Sequence, residues 1–184
     1  MGWLSRTIFY KLMGWKLSGE FPNLKKYIII VVPHTSWHDF YVGLLVRNIT
    51  GLKANFIGKK ELFKAPFGWY FKWLGGSPVD RSGGKNYVEQ LVELFNKKDE
   101  FRLALAPEGT RKKVTEWRTG FYYIAKEANV PIIMVAFDFG KKEVKLGAPF
   151  YPTEDKVADF ALMGRFYEGV KGKIPEYSWE PKTS

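Results

Sequence analysis

The sequence contains no cysteine and only two histidines among its 184 residues. The first absence removes disulfide frameworks, thiolate metal sites and thiol nucleophiles. The second argues against a histidine-built metal centre, because such sites draw on several imidazoles or thiolates. No apolar run approaches the roughly 18 to 20 residues that a membrane span requires. The N-terminus shows no long apolar core with a cleavage site, so no secretory leader is expected and the protein is expected in the cytoplasm. Acidic residues are also scarce: 19 Asp and Glu stand against 29 Lys and Arg, for a net charge of +10. That excess implies an anionic partner, whether nucleic acid, anionic lipid or a phosphorylated substrate, without choosing among them. What the chain has in quantity is apolar matter, 46% hydrophobic with 17% aromatic, which suits one folded domain with a substantial core.

Strand and helix patterns alternate along the chain. Residues 27–32 are the most apolar run, β-branched and closed by Pro33, and read as a buried strand. A helix is expected over 37–48 and ended by Gly51, then short strands over 55–58 and 77–81. Tyr87, Val88, Leu91, Val92 and Phe95 recur at helical spacing within a crossover helix over 85–97. Residues 102–106 alternate like a strand, 117–128 read as a helix, and 130–137 as a second buried strand. Val144 to Leu146 is expected as an edge strand. The last helix is expected over 154–172, packing through Val157, Phe160, Ala161, Gly164 and Tyr167, and the tail from Pro175 reads as polar and loose. This alternation specifies an α/β fold: a single-domain sandwich with a central, mostly parallel mixed sheet flanked by helices.

Two segments leave alternatives open. Residues 3–16 form one helix with Leu4, Ile8, Leu12 and Trp15 on a stripe, flanked by Arg6, Lys11 and Lys16. Such a helix can lie in a membrane interface or dock on its own domain, so residues 1–18 are set apart from the main domain over 19–184. The stretch 59–74 interleaves six aromatics with four lysines. It suits a bilayer headgroup zone, a floor under an acyl chain, bases stacked in a groove, or a helical hairpin packed on the core.

Residues that carry chemistry gather at the expected strand ends. His34 and Asp39 follow the first strand, and Ser36 with Asp39 has the spacing of a helix N-terminus. This places His34 on a turn, with Asp39 able to hold an imidazole nitrogen across the first helical turn; equally, Asp39 can be only the capping acid. Arg81 ends the strand over 77–81, where a forked guanidinium suits an oxyanion. Pro107-Glu108-Gly109-Thr110-Arg111 ends another. There backbone N–H groups freed by Gly109, the Thr110 hydroxyl and Arg111 can cradle a phosphate, with Glu108 holding Arg111 in place.

Taken in order, four motifs resemble those of the glycerolipid acyltransferase family, the lysophosphatidic acid acyltransferase-like proteins. They are His34 to Asp39, Gly76-Ser77-Pro78-Val79-Asp80-Arg81, Pro107 to Arg111, and Val130-Pro131-Ile132. Pro33, Ala106 and Met134 depart from the commoner residues at their places. The resemblance implies a glycerol-3-phosphate acyltransferase-like fold and transfer of a fatty acyl group from a thioester of acyl-carrier protein or coenzyme A to the hydroxyl of a lysophospholipid. The acceptor expected first is 1-acylglycerol-3-phosphate, with an amino-acid lipid or another lysolipid as alternative. His34 is then the general base, Asp39 fixes its tautomer, and Arg81, Glu108, Gly109, Thr110 and Arg111 bind the acceptor's phosphate. His38 reads as a neighbour. No metal or organic cofactor is called for. An anionic membrane surface is the expected partner, met from the cytoplasmic side. Nucleic acid is not expected as a partner, although a non-enzymatic basic nucleic-acid binder is the rival class that charge and aromatics permit.

Overall fold

The apolar run at the start of the chain becomes the middle of a sheet. In a computed structural model, which describes residues 2–180 apart from 59, 74 and 79–83, seven strands pair among the described residues. They are β1 (Lys16–Ser18), β2 (Lys26–Val32), β3 (Asn55–Gly58), β4 (Gly76–Pro78), β5 (Phe101–Leu105), β6 (Ile132–Asp138) and β7 (Glu143–Leu146). Their order is β1-β7-β6-β2-β5-β3-β4, and every neighbouring pair is parallel except β6 with β7. β2 thus has β5 on one side and β6 on the other, which is why it carries no polar residue between Tyr27 and Val32: a parallel strand covered on both faces has no wet side.

Alternate β2 residues feed two cores. Ile28, Ile30 and Val32 pack under α4 (Gly84–Lys97), α5 (Gly120–Glu127) and α6 (Lys156–Tyr167), through Leu91, Phe95, Phe121, Ile124, Met163 and Tyr167. Tyr27 and Ile29 pack on the other face under α2 (His38–Thr50), through Val42, Val46 and Ile49. The Tyr167 hydroxyl is buried between strands. It donates to Ile30 O at 2.9 Å and accepts from Val135 N–H at 3.1 Å, tying α6 to β2 and β6. Burial holds its pKa well above the ordinary phenol value.

Four expectations need correction. The N-terminal segment is not one regular helix: α1 (Gly2–Arg6) runs into a π-helical stretch, Thr7–Leu12, with Met13 N–H bonded to Ile8 O. The wider turn moves Phe9 and Trp15 into the core and leaves Leu4 and Leu12 exposed, so the even stripe of Leu4, Ile8, Leu12 and Trp15 does not form. β7 is not an edge, because β1 pairs outside it. Val157 lies on the outer face of α6. The tail over its described residues 175–180 is not loose: Ser178 is buried, Gly172 N–H donates to its Oγ at 2.9 Å, and Trp179 packs on Trp117 with ring centroids 4.5 Å apart.

Candidate active site

Two adjacent parallel strands deliver the site. β2 and β5 pair side by side, so the turns that follow them open at the same sheet edge, the carboxyl end where open α/β folds place ligands. The first turn carries His34 and leads into α2; the second is residues 106–111.

The first turn is held by one carboxylate. Asp39, 3% exposed, accepts at its Oδ2 from the backbone N–H of Thr35 at 2.9 Å and of Ser36 at 3.0 Å, and the same oxygen lies 3.0 Å from His34 Nδ1. The reach back to Ser36 is half of a capping box, as the spacing predicts. In place of the bond to the Asp39 N–H, the Ser36 hydroxyl accepts from the His38 backbone N–H at 3.4 Å and pairs with His38 Nδ1 at 2.8 Å. Capping and imidazole orientation are therefore one arrangement here. With Nδ1 donating to Asp39, Nε2 is the acceptor nitrogen of His34, which is 26% exposed and lines a cavity. The His38 ring lies tilted against Trp37 and edge-on to Tyr41.

The second turn supplies a different support. Glu108, 3% exposed, accepts from the backbone N–H of His34 at 2.5 Å. Burial raises its pKa to about 7, the His34 amide opposing and the Asp39 charge reinforcing the rise. Among the described residues no ion pair joins Glu108 to Arg111, and the Glu108 carboxyl instead grips the His34 backbone. Gly109 is also used differently: its N–H donates to Ala106 O at 3.1 Å, and its φ of +66° is the conformation that glycine tolerates. Thr110 and Arg111 do open on the cavity that His34 lines. Arg81 lies outside the described residues. Lys112 and Arg118, which no motif singled out, line the same cavity. Their signal in the sequence was only a basic residue near a turn.

The cavity measures about 1190 Å³ and runs between α2 and the sheet. Ile29, Val31, Ala104, Val135 and Phe137 form its sheet wall, and Phe40, Gly43 and Leu44 its helical wall. Phe21 and Leu52 lie beyond the C-terminal end of α2, whereas His34, Arg111 and Arg118 lie at its N-terminal end. α2 has 13 residues, so the cavity follows roughly 18 Å of helix from a cationic mouth into a mostly apolar interior, with Arg47 lining it near the C-terminal end of the helix. Phe40 meets Phe71 of α3 (Gly68–Trp73) with centroids 6.2 Å apart, extending an aromatic rim from the mouth onto that helix. Among the described residues no group of three or more His, Asp or Glu is gathered to hold a metal ion. Among them, no helix is long and apolar enough to cross a membrane.

Chemically, an imidazole braced on one nitrogen and open on the other can take a proton from a hydroxyl. Cations at the mouth suit an anionic head, and the apolar interior suits a hydrocarbon. Two known proteins are similar to this chain. A 1-acyl-sn-glycerol-3-phosphate acyltransferase from Streptococcus pneumoniae is 28% identical over 137 residues, covering 68% of this chain and 50% of that protein. The chain thus spans about half the length of the curated relative it matches. The crystal structure of PlsC from Thermotoga maritima, a 1-acyl-sn-glycerophosphate (LPA) acyltransferase, shares the fold: TM-score 0.60 at 21% identity, over 85% of this chain and 73% of that one. The family model described as Acyltransferase matches residues 16–138, from β1 to the end of β6 and across both turns of the site, and the chain therefore belongs to the acyltransferase family.

Proposed function

We propose that this protein transfers a fatty acyl group from an acyl thioester to the free hydroxyl of a lysophospholipid, with 1-acylglycerol-3-phosphate as acceptor and His34–Asp39 as the general-base dyad. The observation that carries this reading is His34 Nδ1 at 3.0 Å from the buried Asp39 carboxylate, on a cavity with a cationic mouth and an apolar interior. The acceptor hydroxyl oxygen attacks the thioester carbonyl while His34 Nε2 takes its proton. The tetrahedral adduct collapses, the C–S bond breaks, and the imidazolium returns the proton to the leaving thiolate. Asp39 offsets the charge that passes through the ring. Glu108 is a positioning residue, setting the His34 backbone from behind. The headgroup phosphate meets Arg111 and Thr110, and Arg81 belongs to the same set by its motif.

The acyl donor is a thioester of acyl-carrier protein or coenzyme A, and its hydrocarbon lies in the apolar stretch along α2. The protein works at the surface of an anionic membrane, on the cytoplasmic side. Exposed Trp3, Leu4 and Leu12 in the N-terminal segment over 1–18 and exposed aromatics on α3 support such a seat.

The test is acyl transfer by purified protein over a panel of lysolipid acceptors with both donor types, scored by mass spectrometry. Transfer to 1-acylglycerol-3-phosphate, lost by at least about 100-fold in His34→Ala with an unchanged melting curve, is the expected result. Full activity in His34→Ala removes the dyad. Transfer only to another lysolipid replaces the acceptor and keeps the chemistry. No transfer to any acceptor, together with a gel shift that weakens steeply with salt, revives nucleic-acid binding.

A further inference from the structure

We infer that Arg118 completes the anion subsite beside His34 and is the residue that selects a phosphomonoester headgroup over a neutral one. This rests on the acyl-transfer reading for its acceptor, and on geometry alone for its anion.

Arg118 is held on both sides before any ligand arrives. Its backbone N–H donates to Pro107 O at 2.9 Å, which fixes it to the turn that carries Glu108. Its neighbour Trp117 is buried, packed against Phe121, Tyr167 and Trp179. With Trp117 turned into the core, Arg118 faces out, over the turn. There its side chain crosses Gly109 so closely that a Cβ on that glycine would lie 2.6 Å from Arg118 Nε and 2.9 Å from its Cζ. The glycine therefore serves two needs: its positive φ and the passage of this guanidinium. The absent side chain lets the arginine lie flat against the turn beside Thr110.

The guanidinium is exposed and not neutralised. Among the described residues it forms no ion pair, and neither does Arg111. Both line the cavity that holds His34, with Lys112 beside them. The one acid of the turn, Glu108, is spent on the His34 amide. Two planar forks and an ammonium lining one cavity suit a doubly charged phosphate, which accepts bidentate bonds from guanidinium groups. A neutral glycerol head leaves them without a partner, which is how a site built for an anion rejects the analogue that lacks it.

The test uses the full chain with Arg118→Gln, Arg118→Lys and Gly109→Ala. Arg118→Gln is expected to raise the KM for 1-acylglycerol-3-phosphate about 10- to 100-fold. Its kcat, its KM for the acyl thioester and its slow rate on neutral 1-acylglycerol should stay within about twofold of wild type. Arg118→Lys should fall between, and Gly109→Ala, whose methyl displaces the guanidinium and also strains a turn at φ +66°, should raise that KM at least as much and melt lower. Calorimetric titration with glycerol 3-phosphate should show weaker binding by the same factor. An unchanged KM and unchanged titration in Arg118→Gln overturn the assignment and leave the reaction standing. An equal loss on the neutral acceptor makes Arg118 a structural residue and overturns it too. If wild type transfers no acyl group yet binds glycerol 3-phosphate more tightly than Arg118→Gln does, the reaction falls and the anion subsite stands.

Discussion

Glu108 shows how a residue's neighbours in sequence and in space can assign it different work. In sequence it precedes Gly109, Thr110 and Arg111 and reads as part of a phosphate loop. In space, the pairing of β2 with β5 carries it to the amide of His34, 74 positions away. Local pattern cannot report a contact made by strand pairing. His34 and Asp39 were legible because their contact is local, five positions across a capped turn. The buried Glu108 also has a measurable signature. Its carboxyl keeps a proton up to about pH 7 in the native protein, whereas in the unfolded chain it loses it near 4.5. Between those values the native state binds the extra proton, so stability falls as pH rises through that window, by about 3 kcal/mol in all, and levels off above it. Glu108→Gln keeps an oxygen for the His34 N–H and has nothing to titrate. Melting temperatures between pH 5 and 8 should therefore decline more steeply in wild type than in the variant. Equal slopes would show that Glu108 is ionised throughout.

At the scale of elements, helices α2 and α6 do different jobs. α2 is both wall and floor of the cavity, and Gly43 is its thinnest point: a Cβ there would meet Phe137 Cζ at an ordinary 3.8 Å. Gly43→Leu should fold, and its longer side chain should fill part of the apolar interior. Among saturated acyl thioesters, the preferred chain should shorten by several carbons in competition assays; an unchanged profile would place the hydrocarbon elsewhere. α6 is a clamp, its Tyr167 hydroxyl standing between β2 and β6. Tyr167→Phe strands the buried Val135 N–H and Ile30 carbonyl, and denaturant titration should register a loss of about 1–3 kcal/mol. The α/β alternation and nearly every strand could be read from period and β-branching. The N-terminal segment could not, since a π-helical stretch shifts the buried face without leaving a mark in composition. β1 was equally hidden, because three residues carry too little pattern to be called a strand.

For the molecule as a whole, the exposed apolar residues are the feature a soluble sphere would lack. Trp37, Phe67, Trp69 and Trp73 are each 60–71% exposed, and ring contacts link α3 through Phe71 and Phe40 to the cavity mouth. With a net charge of +10, this aromatic rim suits an anionic bilayer. Wild type should sediment with sucrose-loaded vesicles containing phosphatidylglycerol, and Trp69→Ala with Trp73→Ala should lower the bound fraction several-fold; equal binding by the double variant would move the seat to Trp3, Leu4 and Leu12. The net charge and the aromatics were plain in the sequence, but only the fold shows which rings stay outside. The folded-back C-terminal segment was not legible at all, since its polar residues meet distant ones: Thr35 Oγ1 accepts from Ile174 N–H, 139 positions on, and a Cβ on Gly172 would press on Thr35 and Pro33. That brace has a consequence for biosynthesis. β2 and α2 leave the ribosome long before Ile174 exists, so the loop bearing His34 stays open on its outer flank while the chain between Thr35 and Ile174, 139 positions, is made. A nascent chain can complete most of its sheet and still lack the brace behind this loop.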